Sequence, residues 1–238
     1  MALNTRGLNI PFVSFGNVTS DNLFDPKEQE IFDFYQVAGK QKRYRRVLDI
    51  GANIGVHSIL MALQGWEVKA FEPDPVHCLE WTINTDNNLR FSGARIALAP
   101  DAVSDCVGTS RFVRVLGNTT GSHLEGDKAP YGPVERFEVV TVDCRPLFDW
   151  ADFAKIDCEG HEATLLCTIT AEQLKTLEMM VEVGTPANAV RIWQHLRPLG
   201  ARMWAQNRQW KEIDSMGQMP VHHSEGALFI GRIAPFEN

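Results

Sequence analysis

Three side chains able to hold or move a proton stand close together at Asp157, Glu159 and His161, within Lys155-Ile156-Asp157-Cys158-Glu159-Gly160-His161-Glu162. The residues before them, 153–156, read as a buried strand, and those after them as the start of a helix. Groups that leave a strand there face the ligand in open α/β sheets. Each of the three is therefore a candidate base for a nucleophile's proton. For the two carboxylates the competing reading is capping of the next helix, and for His161 an ordinary solvated histidine. Glu182 ends another strand-like run, 179–183, at the same edge. There it would bind substrate hydroxyls or join Asp157 around a divalent ion. No ligand-spacing motif supports that ion, so no metal is expected. His222-His223-Ser224-Glu225 lacks a third spaced ligand as well and reads as a polar loop.

A second constellation lies upstream. Asp49-Ile50-Gly51-Ala52-Asn53-Ile54-Gly55 occupies a strand-to-helix turn. There the glycines let the backbone approach a ligand, and the helix N-terminus offers N–H groups. The spacing is GxxxG, not the GxGxxG that converges several amides on a pyrophosphate. It suits the methionine end of S-adenosylmethionine, with Gly51, Asn53 and Gly55 around the ligand and Asp49 meeting the ammonium directly or through water. Glu72 follows Gly51 by 21 positions, near the spacing at which an acid accepts from an adenosine ribose. Phe71 beside it is either an adenosine contact or core. Asp101 and Ala102 fall where adenine would be read, although Asp101 after Pro100 also fits a plain turn.

The elements that must position these groups alternate strand and helix from position 45 onward, which implies a doubly wound parallel sheet. The tail, 201–205, 209–213 and 227–233, holds three strand-like runs with no helix between them, so antiparallel pairing is expected at one edge. The expected fold is thus a mostly parallel seven-stranded sheet with an antiparallel edge strand. The expected division is an N-terminal extension with a cap helix at 1–44 and a catalytic domain at 45–238. Residues 1–22 read as irregular, with Asp25-Pro26 starting the cap helix. The basic run 40–46 reads as a solvated helix end. The long polar stretch 116–133, which includes Ser122 as a substrate-binding candidate, reads as a lid or a plain mobile loop.

Composition narrows the partners. A net charge of −7 argues against nucleic acid, which needs clustered Lys and Arg. Five widely spaced cysteines without a CxxC pair suggest neither disulfides nor zinc. No apolar run approaches the length of a membrane span, and the N-terminus carries no signal-peptide pattern, so a cytoplasmic enzyme is expected, with homo-oligomerisation left open.

DIGANIG, FEPDP, the DAVSD segment followed by Gly108 and Phe112, and KIDCEGHE together resemble the FkbM-type methyltransferase family over about residues 45–185. The resemblance implies a Rossmann-like class I methyltransferase fold and S-adenosylmethionine as cofactor. It further implies O-methylation of a hydroxyl on a sugar, glycan or other carbohydrate-bearing metabolite. Cys158 stands where the family commonly has a small apolar residue. Methyl transfer is an in-line displacement, so alignment supplies much of the rate and a base the rest. Two rivals remain: an NAD-dependent oxidoreductase of similar fold, and a binding module that has lost catalysis.

Overall fold

The apolar residues of each central strand point alternately to two sides, and this dictates the layering. In the computed structural model, which describes residues 2–5, 8–14, 26–116, 118–129 and 131–237, Val47 and Phe153 face one hydrophobic cluster. Their neighbours Leu48 and Ala154 face another. A sheet buried on both faces needs helices on both.

The chain opens with a hairpin, β1 (Ala2–Thr5) and β2 (Leu8–Pro11), then helix α1 (Pro26–Lys40). There follow β3 (Arg46–Ile50), α2 (Val56–Ala62), β4 (Glu67–Phe71), α3 (Pro75–Leu89) and β5 (Ile96–Ala99). An inserted all-β segment comprises β6 (Ala102–Ser104), β7 (Gly108–Val115), β8 (His123–Leu124) and β9 (Val134–Asp143). The rest is α4 (Cys144–Trp150), β10 (Phe153–Ile156), α5 (Glu162–Leu166), β11 (Glu178–Glu182), α6 (Pro186–Leu196), β12 (Arg202–Ala205), β13 (Lys211–Glu212) and β14 (Ala227–Gly231).

The main sheet has the order β13-β12-β14-β11-β10-β3-β4-β5. Its run from β11 to β5 is parallel. Seven of its strands match the expected sheet, and the two-residue β13 adds an eighth. The antiparallel pairing gathers at one side of the sheet, as expected: β14 is antiparallel to β11 and β12, and the edge strand β13 is antiparallel to β12. The insertion forms its own sheet, β6-β9-β7-β8.

Three local expectations change. Residues expected to be irregular form the β1–β2 hairpin, in which Leu3 lies opposite Ile10; runs of four residues are too short to show a period. Helix α4 went unread because it is only two turns long, although Asp143 caps it by accepting from the Arg145 N–H at 2.9 Å. The basic run 40–46 is not wholly solvated: the Arg43 side chain is only 7% exposed, its Nε 2.8 Å from the fully buried Glu178, which also accepts from the Tyr44 hydroxyl at 2.7 Å. The Asp25 cap expected for α1 lies outside the described residues. That helix is part of the core, with Phe32, Phe34, Tyr35 and Ala38 buried against Val47, Phe153 and Phe229. No helix among the described residues is long and apolar enough to cross a membrane.

One consequence of the register matters for function. Ile50, Phe71, Ile156 and Val181 share a row across β3, β4, β10 and β11. The next residue on each strand, Gly51, Glu72, Asp157 and Glu182, therefore leaves the sheet at one level.

Candidate active site

A cavity of about 670 Å³ opens over that level. Gly51, Asn53, Glu72, Asp101, Ala102, Ser122, Asp157, Glu159, His161 and Glu182 all line it. The other two candidates, Asp49 and Gly55, are not in the lining.

The glycine turn is shaped by close approach. Gly51 has φ +79°, and a Cβ there would sit 1.7 Å from the Asp157 carbonyl oxygen, so only glycine fits. Asn53 also has positive φ, +50°, which asparagine tolerates better than most residues. Its backbone N–H donates to Glu72 Oε2 at 2.8 Å, while the Asp74 N–H donates to Glu72 Oε1 at 2.8 Å. Two backbone donors thus fix the Glu72 carboxylate in a buried setting, with lone pairs left for a ligand's hydroxyls. Asp49 is fully buried; its Oδ2 accepts from Ser58 Oγ, and its Oδ1 has no partner. An orphaned carboxylate oxygen under the turn fits a cationic group above it, reached through water. Next to Glu72, Asp74 caps α3 and receives Arg114 on both oxygens, which ties the inserted sheet to the cofactor-side loop.

At the other end stands a carboxylate cluster: one oxygen each of Asp157, Glu159 and Glu182 lies within 4.8 Å of the others. Such oxygens are hard donors that suit a divalent cation, but lysines already compensate them. Lys155 Nζ is 2.9 Å from Asp157 Oδ2, and Lys128 Nζ is 2.6 Å from Glu159 Oε2. Burial alone would raise the Asp157 pKa, yet the Lys155 ammonium and a hydrogen bond from Glu182 outweigh it and hold Asp157 at about 2. Burial and the Asp157 charge push Glu182 well above the usual carboxyl range, so the pair holds one proton. Glu159 is pushed up to about 7 by burial and by Asp157, with Lys128 opposing. This places its proton exchange near neutrality.

His161 lines the cavity but is engaged at both nitrogens. Its Nε2 lies 3.0 Å from Ser104 Oγ and its Nδ1 2.9 Å from Asp127 Oδ2. The Asp127–His161–Ser104 line fixes the ring and fastens the 118–129 stretch to this turn. The neighbouring Glu162 is buried and accepts from the Cys158 and Gly160 N–H groups at 3.1 and 3.0 Å. Asn188 braces the same turn by donating to the Gly160 carbonyl at 2.8 Å. The last acid of the KIDCEGHE element therefore sets the backbone that aims the first two.

The stretch 118–129 folds over this end. Lys128 and Asp127 reach Glu159 and His161, while Asn118, Thr119, Thr120 and Ser122 line the cavity. Ser122 Oγ also accepts from the Val115 N–H at 3.2 Å. Amide hydrogen exchange in 118–129 should slow when cofactor product and acceptor are both present. Exchange rates alike in every ligand state would make it a connector.

Residues not proposed as site residues also line the cavity. Lys27 and Glu28 come from α1, His57 from α2, and His223 and Ser224 from the tail. The first two belong to the helix expected as a cap, and the last two to the His222–Glu225 run expected to be a plain polar loop.

An open, mostly parallel sheet with an inserted antiparallel strand, a glycine turn after one central strand and an acid after the next defines a Rossmann-like class I methyltransferase fold. The chain belongs to the FkbM methyltransferase family: the Methyltransferase FkbM domain matches residues 49–203. Solved structures similar to it include the T. thermophilus 16S rRNA methyltransferase RsmC, at 14% identity and TM-score 0.46, covering 82% of this chain and 44% of that one. A SAM dependent methyltransferase from Agrobacterium tumefaciens aligns at 11% identity and TM-score 0.47, covering 82% and 57%. The chain thus spans about half the length of these two. The precorrin-6y C5,15-methyltransferase from Geobacter metallireducens aligns at 12% identity and TM-score 0.45, covering 92% and 97%. No curated protein sequence matches.

Proposed function

We propose that this protein transfers the methyl group of S-adenosylmethionine to a hydroxyl of a sugar, glycan or glycosylated metabolite. The observation that carries this reading is the placement of the Gly51 turn, the Glu72 carboxylate and the Asp157–Glu159–Glu182 cluster around one cavity. The donor, when bound, supplies an electrophilic methyl on a sulfonium. Glu72 binds the ribose hydroxyls, Asp101 and Ala102 border the base, and the Gly51–Asn53 backbone lies against the amino-acid end. Asp157 presents a fixed negative charge that orients the incoming hydroxyl, and Glu159 accepts its proton. Glu182, sharing a proton with Asp157, and Ser122 bind neighbouring hydroxyls. The carboxylates that line the cavity and a net charge of −7 favour a neutral carbohydrate over a polyanion such as RNA.

Methyl transfer from labelled S-adenosylmethionine to a panel of glycans and glycosylated metabolites tests the acceptor. Stabilisation against heat by NAD(H) but not by S-adenosylhomocysteine would sink the cofactor reading. Removing the Glu72 side chain should also unseat two backbone N–H groups and the ribose partner together. Loss of charge-assisted hydrogen bonds of this kind costs on the order of 1.5–3 kcal/mol. Calorimetry on Glu72→Ala should show S-adenosylhomocysteine bound about tenfold or more weakly; parental affinity in a folded variant removes Glu72 from the site.

A further inference from the structure

The cavity wall facing the carboxylate cluster includes a helix that precedes the matched family domain. Glu28, in the first turn of α1, lines the cavity beside His57 of α2. His57 Nε2 lies 3.1 Å from Glu28 Oε2, and His57 Nδ1 lies 2.9 Å from the Tyr35 hydroxyl. Tyr35, two turns further along the same face of α1, is fully buried, and burial first, then Asp49, Glu28 and Asp157, keep it a phenol. His57 thus stands between a carboxylate at ion-pair distance and a hydrogen-bonded phenol. Phe32 packs edge-on against the same imidazole, with ring centroids 5.4 Å apart, which fixes its plane. A three-member line, Tyr35–His57–Glu28, thus runs from the core to one carboxylate at the cavity.

That carboxylate shares its field with the cluster. Its charge adds to those of Asp157 and Asp49 in raising Lys155 against the effect of burial. It adds to burial, Asp157 and Glu159 in raising Glu182. His57 in turn helps lower Asp157, behind burial's opposing effect and the larger contributions of Lys155 and Glu182. Lys27 beside it is engaged with the Ser224 carbonyl.

We propose that Glu28 is an acceptor-side residue of the active site, a carboxylate that binds the reacting partner opposite Asp157, and that His57 and Tyr35 are its positioning residues. This rests on the S-adenosylmethionine reading above and extends the site to a helix outside the matched domain.

The test uses two ligands that differ at the transferring position. S-adenosylhomocysteine is uncharged there, whereas sinefungin carries a cationic amine. Both are titrated calorimetrically into the full chain. If Glu28 faces that position, Glu28→Gln should weaken sinefungin by roughly fivefold or more relative to S-adenosylhomocysteine, whose affinity stays near parental. Glu28→Asp, which keeps the charge, should retain most of the preference. Positioning is tested by His57→Gln, which keeps an N–H able to reach Glu28, against His57→Leu, which does not. The first should preserve the preference and the second lose it, with Tyr35→Phe in between. An unchanged ratio in Glu28→Gln overturns the assignment alone. Equal weakening of both ligands across the variants means packing only, and also overturns it. A parent protein that binds neither ligand rejects the cofactor reading and this assignment with it.

Discussion

Asp157→Asn should lower methyl transfer by about 10²–10⁴-fold while S-adenosylhomocysteine affinity changes far less. The carboxylate leaves β10 level with Gly51 and Glu182, facing the acceptor end and not the ribose end of the cavity. It is ionised because Lys155 and the Glu182 proton hold it at about 2 against burial. Asparagine keeps the size and one acceptor oxygen but leaves the Lys155 ammonium buried without its charge partner. Breaking such a pair costs several kcal/mol in the worst cases, on the order of 3–5. The variant must therefore be shown folded by circular dichroism and a cooperative melt before affinity and turnover are judged. Loss of that affinity in a folded protein would assign Asp157 to the cofactor pocket, and near-parental turnover would leave alignment alone as the source of rate. The same substitution carries a pH signature. A carboxyl lowered from 3.8 to about 2 contributes stability above its unfolded pKa and loses it as pH falls through the folded one. Acid unfolding of Asp157→Asn should lack that contribution. Glu159 behaves in the opposite sense. Its pKa, raised from 4.5 to about 7, delays ionisation, so turnover should rise with pH through about 7, and Glu159→Gln should remove that limb.

Gly51→Ala is the variant expected to do most damage for the least added mass. An alanine at φ +79° is strained by roughly 1–2 kcal/mol on its own. Its Cβ would also meet the Asp157 carbonyl oxygen at 1.7 Å, and a backbone atom in the central strand pair cannot rotate away. The ends of β3 and β10 would have to separate, which unseats the Asn53–Glu72 hydrogen bond and displaces Asp157 at once. Calorimetric binding of S-adenosylhomocysteine should be abolished, and the melting temperature should fall well beyond that of Gly65→Ala. That control has a similar φ, +83°, but nothing within 4 Å of its would-be Cβ, so it isolates the backbone cost. Equal melting temperatures for the two would show that the turn relaxes and that close approach is not what requires glycine.

Part of this site could be read from the chain alone. The alternation of apolar strands and helices, the glycine turn at Gly51 and Gly55, the acid at Glu72 and the order of KIDCEGHE are local patterns. Each is set by backbone geometry within a few residues, and a parallel sheet then brings strand ends to one edge. What the local pattern could not contain is which side chains meet across the fold. Glu159 has φ +54°, which is unusual for glutamate, and it is aimed by Glu162 and Asn188, the latter 29 positions away. His161 is held on both sides, by Ser104 and Asp127, partners 57 and 34 positions distant. Glu28 carried no motif at all, and only the packing of α1 against β3, β10 and β14 brings it to the cavity. Sequence determined the cofactor-side frame because one strand, one turn and one helix start suffice to build it. Tertiary structure decided which ionisable groups stand together, because a proton's location depends on burial and on charges that long-range packing brings within a few ångströms.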